Sequence, residues 1–233
     1  SWSNRYANRY QTFSGTVWAM EVLGAESGWA VGSVVGSVGG SVGQVGQLLR
    51  LGSDGWTRHA TVAEELYGVA LRTASDGWAV GKQGALYRWN GSDWTAVASP
   101  TKETLHAVHI VSAGDAWAVG DRGTILRWNG STWTAVSCPV KHNLQAVALS
   151  GPNNGWAVGT AGTVLHWNGT SWTVRYAAEV DGLDRVRMTP GSSGRDGWAV
   201  GNGSTLLHWT GMHWVPLAGP STRYNDVGMA GPK

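Results

Sequence analysis

Asp76-Gly77-Trp78-Ala79-Val80-Gly81-Lys82-Gln83-Gly84-Ala85-Leu86-Tyr87-Arg88-Trp89-Asn90-Gly91-Ser92-Asp93-Trp94 carries the pattern on which the fold turns. Its core, Gly-Trp-Ala-Val-Gly, recurs at 28–32, 155–159 and 197–201, and Ala116-Trp117-Ala118-Val119-Gly120 is a near copy. Eleven residues after each leading Trp stands a second one: Trp89, Trp128, Trp167 and Trp209. In the first repeat this position is Leu51, displaced by an insert around 33–46. Five residues further on lies a third column: Trp56, Trp94, Trp133, Trp172 and Trp214. Fourteen of the sixteen tryptophans fall into these columns, leaving Trp2 and Trp18. A rare residue absorbed by a register of about 40 residues marks an internal repeat.

Each repeat reads as four short strands. The first is an apolar hexamer: Leu66–Leu71, Leu105–Ile110, Leu144–Leu149 and Leu183–Met188, with Val17–Val22 and Tyr224–Met229 in the same register. The second is Trp-Ala-Val, the third ends on the second Trp column, and the fourth starts on the third. β-branched and aromatic residues fill these runs, and Gly or Asn-Gly separates them. Asn90-Gly91, Asn129-Gly130 and Asn168-Gly169 are expected to close tight hairpins through a positive φ. No segment has a helical period.

Four antiparallel strands copied five times predict an all-β protein, a β-propeller, most simply of five blades of four strands. Stacked sheets bury both of their apolar faces, and indoles suit the gaps between them. The expected units are 17–65, 66–104, 105–143, 144–182 and 183–223, with a closing strand at 224–229. Residues 1–16 form an N-terminal segment in which Trp2–Tyr6 resembles an outer strand. Six first-strand copies against five of every other strand leave a six-bladed ring, or a fragment of a larger one, as the alternative.

Composition excludes several function classes. Seventeen basic against fifteen acidic residues leave no electrostatic footprint for nucleic acid. The single cysteine, Cys138, can form no internal disulfide, and no Cys/His spacing suits zinc. No apolar run reaches the length of a membrane helix, and no signal peptide is visible. Neither a cofactor nor a metal is expected.

The string Asp76-Gly77-Trp78-Ala79-Val80-Gly81, followed by Gly84 and Leu86, resembles the repeats of photosystem II assembly-factor-like propellers, near the bacterial neuraminidase-repeat (Asp-box) group. The resemblance spans about 17–229. It implies a non-enzymatic, extracytoplasmic (secreted or periplasmic) scaffold that binds another protein during assembly. Those propellers are similar to seven-bladed rings and the full Asp-box turn is absent here, so neither a photosynthetic role nor a binding residue carries over.

Candidate sites are sparse. The cations before the second Trp column (Arg50, Arg88, Arg127, His166 and His208) are expected to cover a Trp with their stems while the charge stays wet. Asp76, Asp115 and Asp196 recur in register, which reads as backbone hydrogen bonding in a turn and not as acid–base chemistry. Glu21, His109, Arg185, Arg187 and Asp226 replace small first-strand residues and are candidates for a central channel. His106 and His109 face opposite sides of a strand and cannot share an ion. Cys138 has no repeated His partner and is a poor nucleophile candidate.

Loops on a rigid scaffold carry binding. One rim collects the insert Ser33–Gln47 with Lys82, Lys102, Arg122, Lys141, His142, Arg175, Tyr176 and Arg223, which makes it the candidate protein-binding surface. A carbohydrate-binding propeller using Trp-lined clefts is the alternative function, and a glycosidase-type enzyme the third. Asn90, Asn129, Asn168 and Asn202 begin glycosylation sequons, three of them already explained by turns.

Overall fold

A computed structural model describes residues 15–38, 40–175, 182–217 and 227. Five antiparallel sheets of four strands run in chain order. The first contains β1 (Thr16–Gly24), β2 (Ser27–Val38), β3 (Ser41–Gly52) and β4 (Gly55–Val62). The second contains β5 (Leu66–Thr73), β6 (Asp76–Gly81), β7 (Leu86–Trp89) and β8 (Trp94–Ala96), and the third β9 (Leu105–Ser112), β10 (Asp115–Gly120), β11 (Ile125–Trp128) and β12 (Trp133–Ala135). In the fourth are β13 (Leu144–Gly151), β14 (Asn154–Gly159), β15 (Val164–Trp167) and β16 (Trp172–Val174). The fifth holds β17 (Leu183–Met188), β18 (Gly197–Gly201), β19 (Leu206–Trp209) and β20 (Trp214–Pro216). This is the five-bladed β-propeller class that the repeat predicts. The proposed strands Trp2–Tyr6 and Tyr224–Met229 lie outside the described residues.

The blades fall into two compact units, Ser1–Thr104 and Leu105–Lys233. Within each unit one contact recurs. Trp29 of the first blade meets Trp89 at 4.6 Å and Trp94 at 5.3 Å from the second. In the other unit Trp117 meets Trp167 at 4.8 Å and Trp172 at 5.6 Å, and Trp156 meets Trp209 at 4.5 Å and Trp214 at 5.2 Å. The second-strand indole of one blade thus lies between the third- and fourth-strand indoles of the next. The first neighbour is tilted and the second is edge-on, both favoured by ring quadrupoles. Trp29, Trp78, Trp117 and Trp156 are at most 3% exposed, so the expectation of core indoles stands for them. The third-strand indole also anchors its own blade. Nε1 of Trp89, Trp128, Trp167 and Trp209 each donates to the carbonyl fifteen residues back, in the hairpin before the second strand.

The second glycine of Gly-Trp-Ala-Val-Gly has a steric cause. A Cβ at Gly81, Gly159 or Gly201 would lie 2.0–2.1 Å from the carbonyl oxygen of the residue preceding the blade's first strand. The links after this glycine are primed turns. Gln83 and Gly84, and likewise Arg122 and Gly123, are both left-handed, and Ala85 and Thr124 donate back to Lys82 and Asp121. Two left-handed central residues match the twist of a two-residue hairpin.

Two local expectations are corrected. The Asn-Gly hairpins are four-residue turns in which only the glycine has a positive φ, such as +99° at Gly91. Asn90, Asn129 and Asn168 instead accept two backbone N–H groups on their side-chain oxygen. The insert of the first blade is also no loop. It lengthens β2 and β3, paired from Val34↔Val45 to Val38↔Ser41, because its β-branched valines favour an extended backbone.

Trp156→Ala should lower the unfolding free energy by about 3–5 kcal/mol, the range for emptying a buried aromatic site. Trp18→Ala, at a side chain 47% exposed, should cost about 1 kcal/mol or less. Urea titration of both variants checks the contrast.

Candidate functional site

Charged side chains in the blades are organised by a second repeat. The residue before the second Trp column reaches the residue two before the leading Trp, always twelve positions back. Arg88 Nη2 donates to Asp76 Oδ1 at 2.6 Å, and Arg127 donates to both oxygens of Asp115 at 2.9 and 3.1 Å. His166 Nε2 lies 2.7 Å from Asn154 Oδ1, and His208 Nε2 lies 2.6 Å from Asp196 Oδ1. Each cation or ring also covers the leading indole of its own blade. Arg88 stands 4.8 Å over Trp78 and Arg127 4.9 Å over Trp117, while His166 and His208 are 4.5 and 4.4 Å from Trp156 and Trp198. The stems do cover Trp, and Arg88, Arg127 and His208 stay partly exposed while each also meets a carboxylate.

The recurring aspartates are accordingly reassigned from turn bonding to side-chain clips. Asp76 additionally holds Arg72 at 2.6 Å. In the first blade Ser27 takes the carboxylate position, and Arg50 lies over Trp89 of the following blade at 5.9 Å. The fifth clip extends to Thr189, whose hydroxyl donates to Asp196. That bond, followed by the one from His208, holds the Asp196 carboxyl below its ordinary value. Burial, and then the Arg175 charge, lower the His166 pKa, which suits a neutral ring facing the uncharged Asn154.

The rim candidates lie where each second strand ends, beside the connection between blades. Gly84 abuts Thr101 there, and Gly123 abuts Val140. In the first unit this end carries Lys82 and Lys102, both exposed. Lys82 donates to Glu65 at 2.9 Å, and that bond raises its pKa. The neighbouring Tyr87 hydroxyl donates to Glu64, and burial followed by that bond raises its pKa strongly. In the second unit the same end carries Arg122, Lys141, His142 and Arg175, all exposed. Arg122 has a left-handed backbone (φ 54°) and its N–H donates to Asn143 Oδ1, so the turn fixes where its side chain emerges. His142 meets Thr163 Oγ1 at 2.8 Å, and His106 binds Asp121 at 2.7 Å. Tyr176 and Arg223 lie outside the described residues.

Of the first-strand candidates, the structure brings His109 and Arg187 together. They occupy equivalent positions of β9 and β17, opposite Trp117 and Trp198, and Ala148 holds the same position of the intervening β13. Burial, and then the Arg187 charge, push His109 down to about 4. Arg185 donates to the Asp184 carbonyl. Glu21 is half-buried on β1, in the other unit, and Asp226 lies outside the described residues. Cys138 is half-buried and its thiol is raised by burial, the opposite of an activated nucleophile. Among the described residues no group of three or more His, Cys, Asp or Glu could hold a metal ion, and no helix is long and apolar enough to cross a membrane. Sequence reading missed the clips, although a cation column twelve residues after an Asp column was visible in the repeat.

Residues 128–218, from β11 through the fifth blade, match the family model described as photosynthesis system II assembly factor YCF48. The match covers less than half of the chain. Two solved structures share its fold. One, "YCF48 bound to D1 peptide", is 18% identical with a TM-score of 0.63, over 90% of this chain and 69% of that one. The computationally designed Ika8 protein is 11% identical with a TM-score of 0.68, over 92% of this chain and 65% of that one. No curated protein matches in sequence.

The sign of the acid response follows from His109 and Asp196, with His166 lowered in the same sense as His109. A histidine held neutral by the fold is protonated more readily in the unfolded chain. Stability is then complete above about pH 6.5 and falls until about pH 4. His109→Asn should remove up to about 3 kcal/mol of that loss. Asp196, whose carboxyl is depressed, contributes stability above its ordinary pKa of 3.8 that disappears on further acidification, so Asp196→Asn should flatten the more acid limb. Melting curves from pH 8 to about 2.5 separate the two.

Proposed function

We propose that this propeller is a non-enzymatic scaffold that binds another protein in assembly, through the rim at the end of the second strands. The observation that carries this reading is the treatment of charge. The clip side chains lie against indoles and are only partly exposed, whereas Arg122, Lys141 and Arg175 are exposed near the ends of strands in one unit. Exposed cations on rigid turns fit carboxylates of a partner segment, at little ordering cost.

The likeness to a propeller solved with a bound peptide supports a protein partner over a sugar. So does the burial of the indoles, since ring faces packed between blades are closed to sugar stacking. In the first unit, taken by itself, the corresponding strand ends carry Lys82 and Lys102. The same likeness motivates an extracytoplasmic location, tested by fractionating cells that express the full gene.

The triple variant Arg122→Glu, Lys141→Glu and Arg175→Glu should keep the wild-type melting temperature within about 2 °C. It should weaken capture of the physiological partner by roughly 10-fold or more, with a shallower salt dependence. Immobilised wild-type and variant chains, compared at two salt concentrations, read this out. Equal capture by both would overturn the rim assignment.

A further inference from the structure

The extension of the first blade projects past the rest of its sheet. The β1 pairing ends at Thr16↔Ser33 and the β4 pairing at Gly46↔Val62, so β2 and β3 continue as a two-stranded ribbon. Five residue pairs long, from Val34↔Val45 to Val38↔Ser41, it reaches about 17 Å at 3.4 Å per residue. At its base Val34 and Val45 face each other, each 4% exposed. On the opposite face Val35 and Val42 are 70% and 79% exposed.

We infer that this ribbon joins two copies of the chain, edge to edge through Ser41–Val45, into one four-stranded sheet. This goes beyond the protein-binding rim and does not depend on it. Three observations select a second copy as the occupant. First, Gly15 approaches β2 at the base of the ribbon, where its Cβ would lie 2.3 Å from the Ser33 carbonyl, and no described strand lies along Ser41–Val45. Second, proteins block free strand edges with charges, proline or bulges, and this edge has none. Ser33–Leu49 contains no charged residue, so identical copies do not repel. Third, the edge is self-complementary. An antiparallel pair centred on Gly43 sets Val42 opposite Gln44 of the other copy, and nothing described lies within 4 Å of a Cβ built on Gly43. A lone two-stranded ribbon is marginal in water, whereas four strands with a shared apolar face are not.

Two five-residue edges bury on the order of 500 Å², well under a standard interface, so the dimer forms at tens to hundreds of micromolar. Sedimentation equilibrium from about 10 µM to 1 mM should show the mass rise from 24.6 kDa towards twice that value. Val42 and Gln44 are exposed, so their replacement leaves the blade folded. Val42→Lys with Gln44→Lys sets lysines opposite one another and should abolish the rise. Val42→Lys with Gln44→Glu sets opposite charges in the same register and should retain it. The rim variants should dimerise like wild type, which separates this result from the rim reading. A wild-type chain monomeric at 1 mM, an all-lysine variant that still dimerises, or binding only of an unrelated extended peptide would overturn the inference.

Discussion

An indole must be covered on two sides, and no single blade can do it. Trp117 has only its own sheet behind it until Trp167 and Trp172 arrive from the next blade. The requirement explains why the chain repeats and why the spacing is so regular, and glycine precedes four of the five leading tryptophans, where the blade's own first strand presses close. Burial of aromatic area on this scale dominates the stability of a four-stranded unit whose outer strand has three residues in four of the five blades.

Polar groups follow the same logic. A guanidinium or imidazole covering the leading indole leaves a charge or an N–H next to apolar surface, and the Asp or Asn twelve residues back supplies its partner. The clip also ties the third strand to the start of the second. Repetition therefore does not imply a binding site. A column of cations that looks like a recognition surface is packed against indoles within the blades, and Arg122, Lys141 and Arg175 lie exposed outside that register.

Much of the fold was legible because its strongest signals are local and periodic. Tryptophan columns, Gly punctuation and the four-strand rhythm gave the sheets, their order and their core. Two kinds of feature escaped. Partners twelve residues apart across a hairpin were visible as columns but not as bonds, because sequence does not say whether Asp76 turns toward its own backbone or toward Arg88. The insert of the first blade was read as a loop from its Gly and Ser content. Its residues in fact pair as strand from Val34 to Val38. The rim residues were located by topology alone, since the ends of strands are fixed once the strands are. What meets them depends on a surface that this chain does not encode.

Asn154 stands in the fourth blade where three others have aspartate. Its clip with His166 is neutral, whereas those of the second and third blades join a permanent cation to a carboxylate and that of the fifth joins an imidazole to a carboxylate. Blades of the same architecture therefore differ in how they feel protons. Acid loosens the third blade through His109 before it reaches the Asp196 carboxyl of the fifth, an order set by the surroundings that each blade gives its own polar side chain.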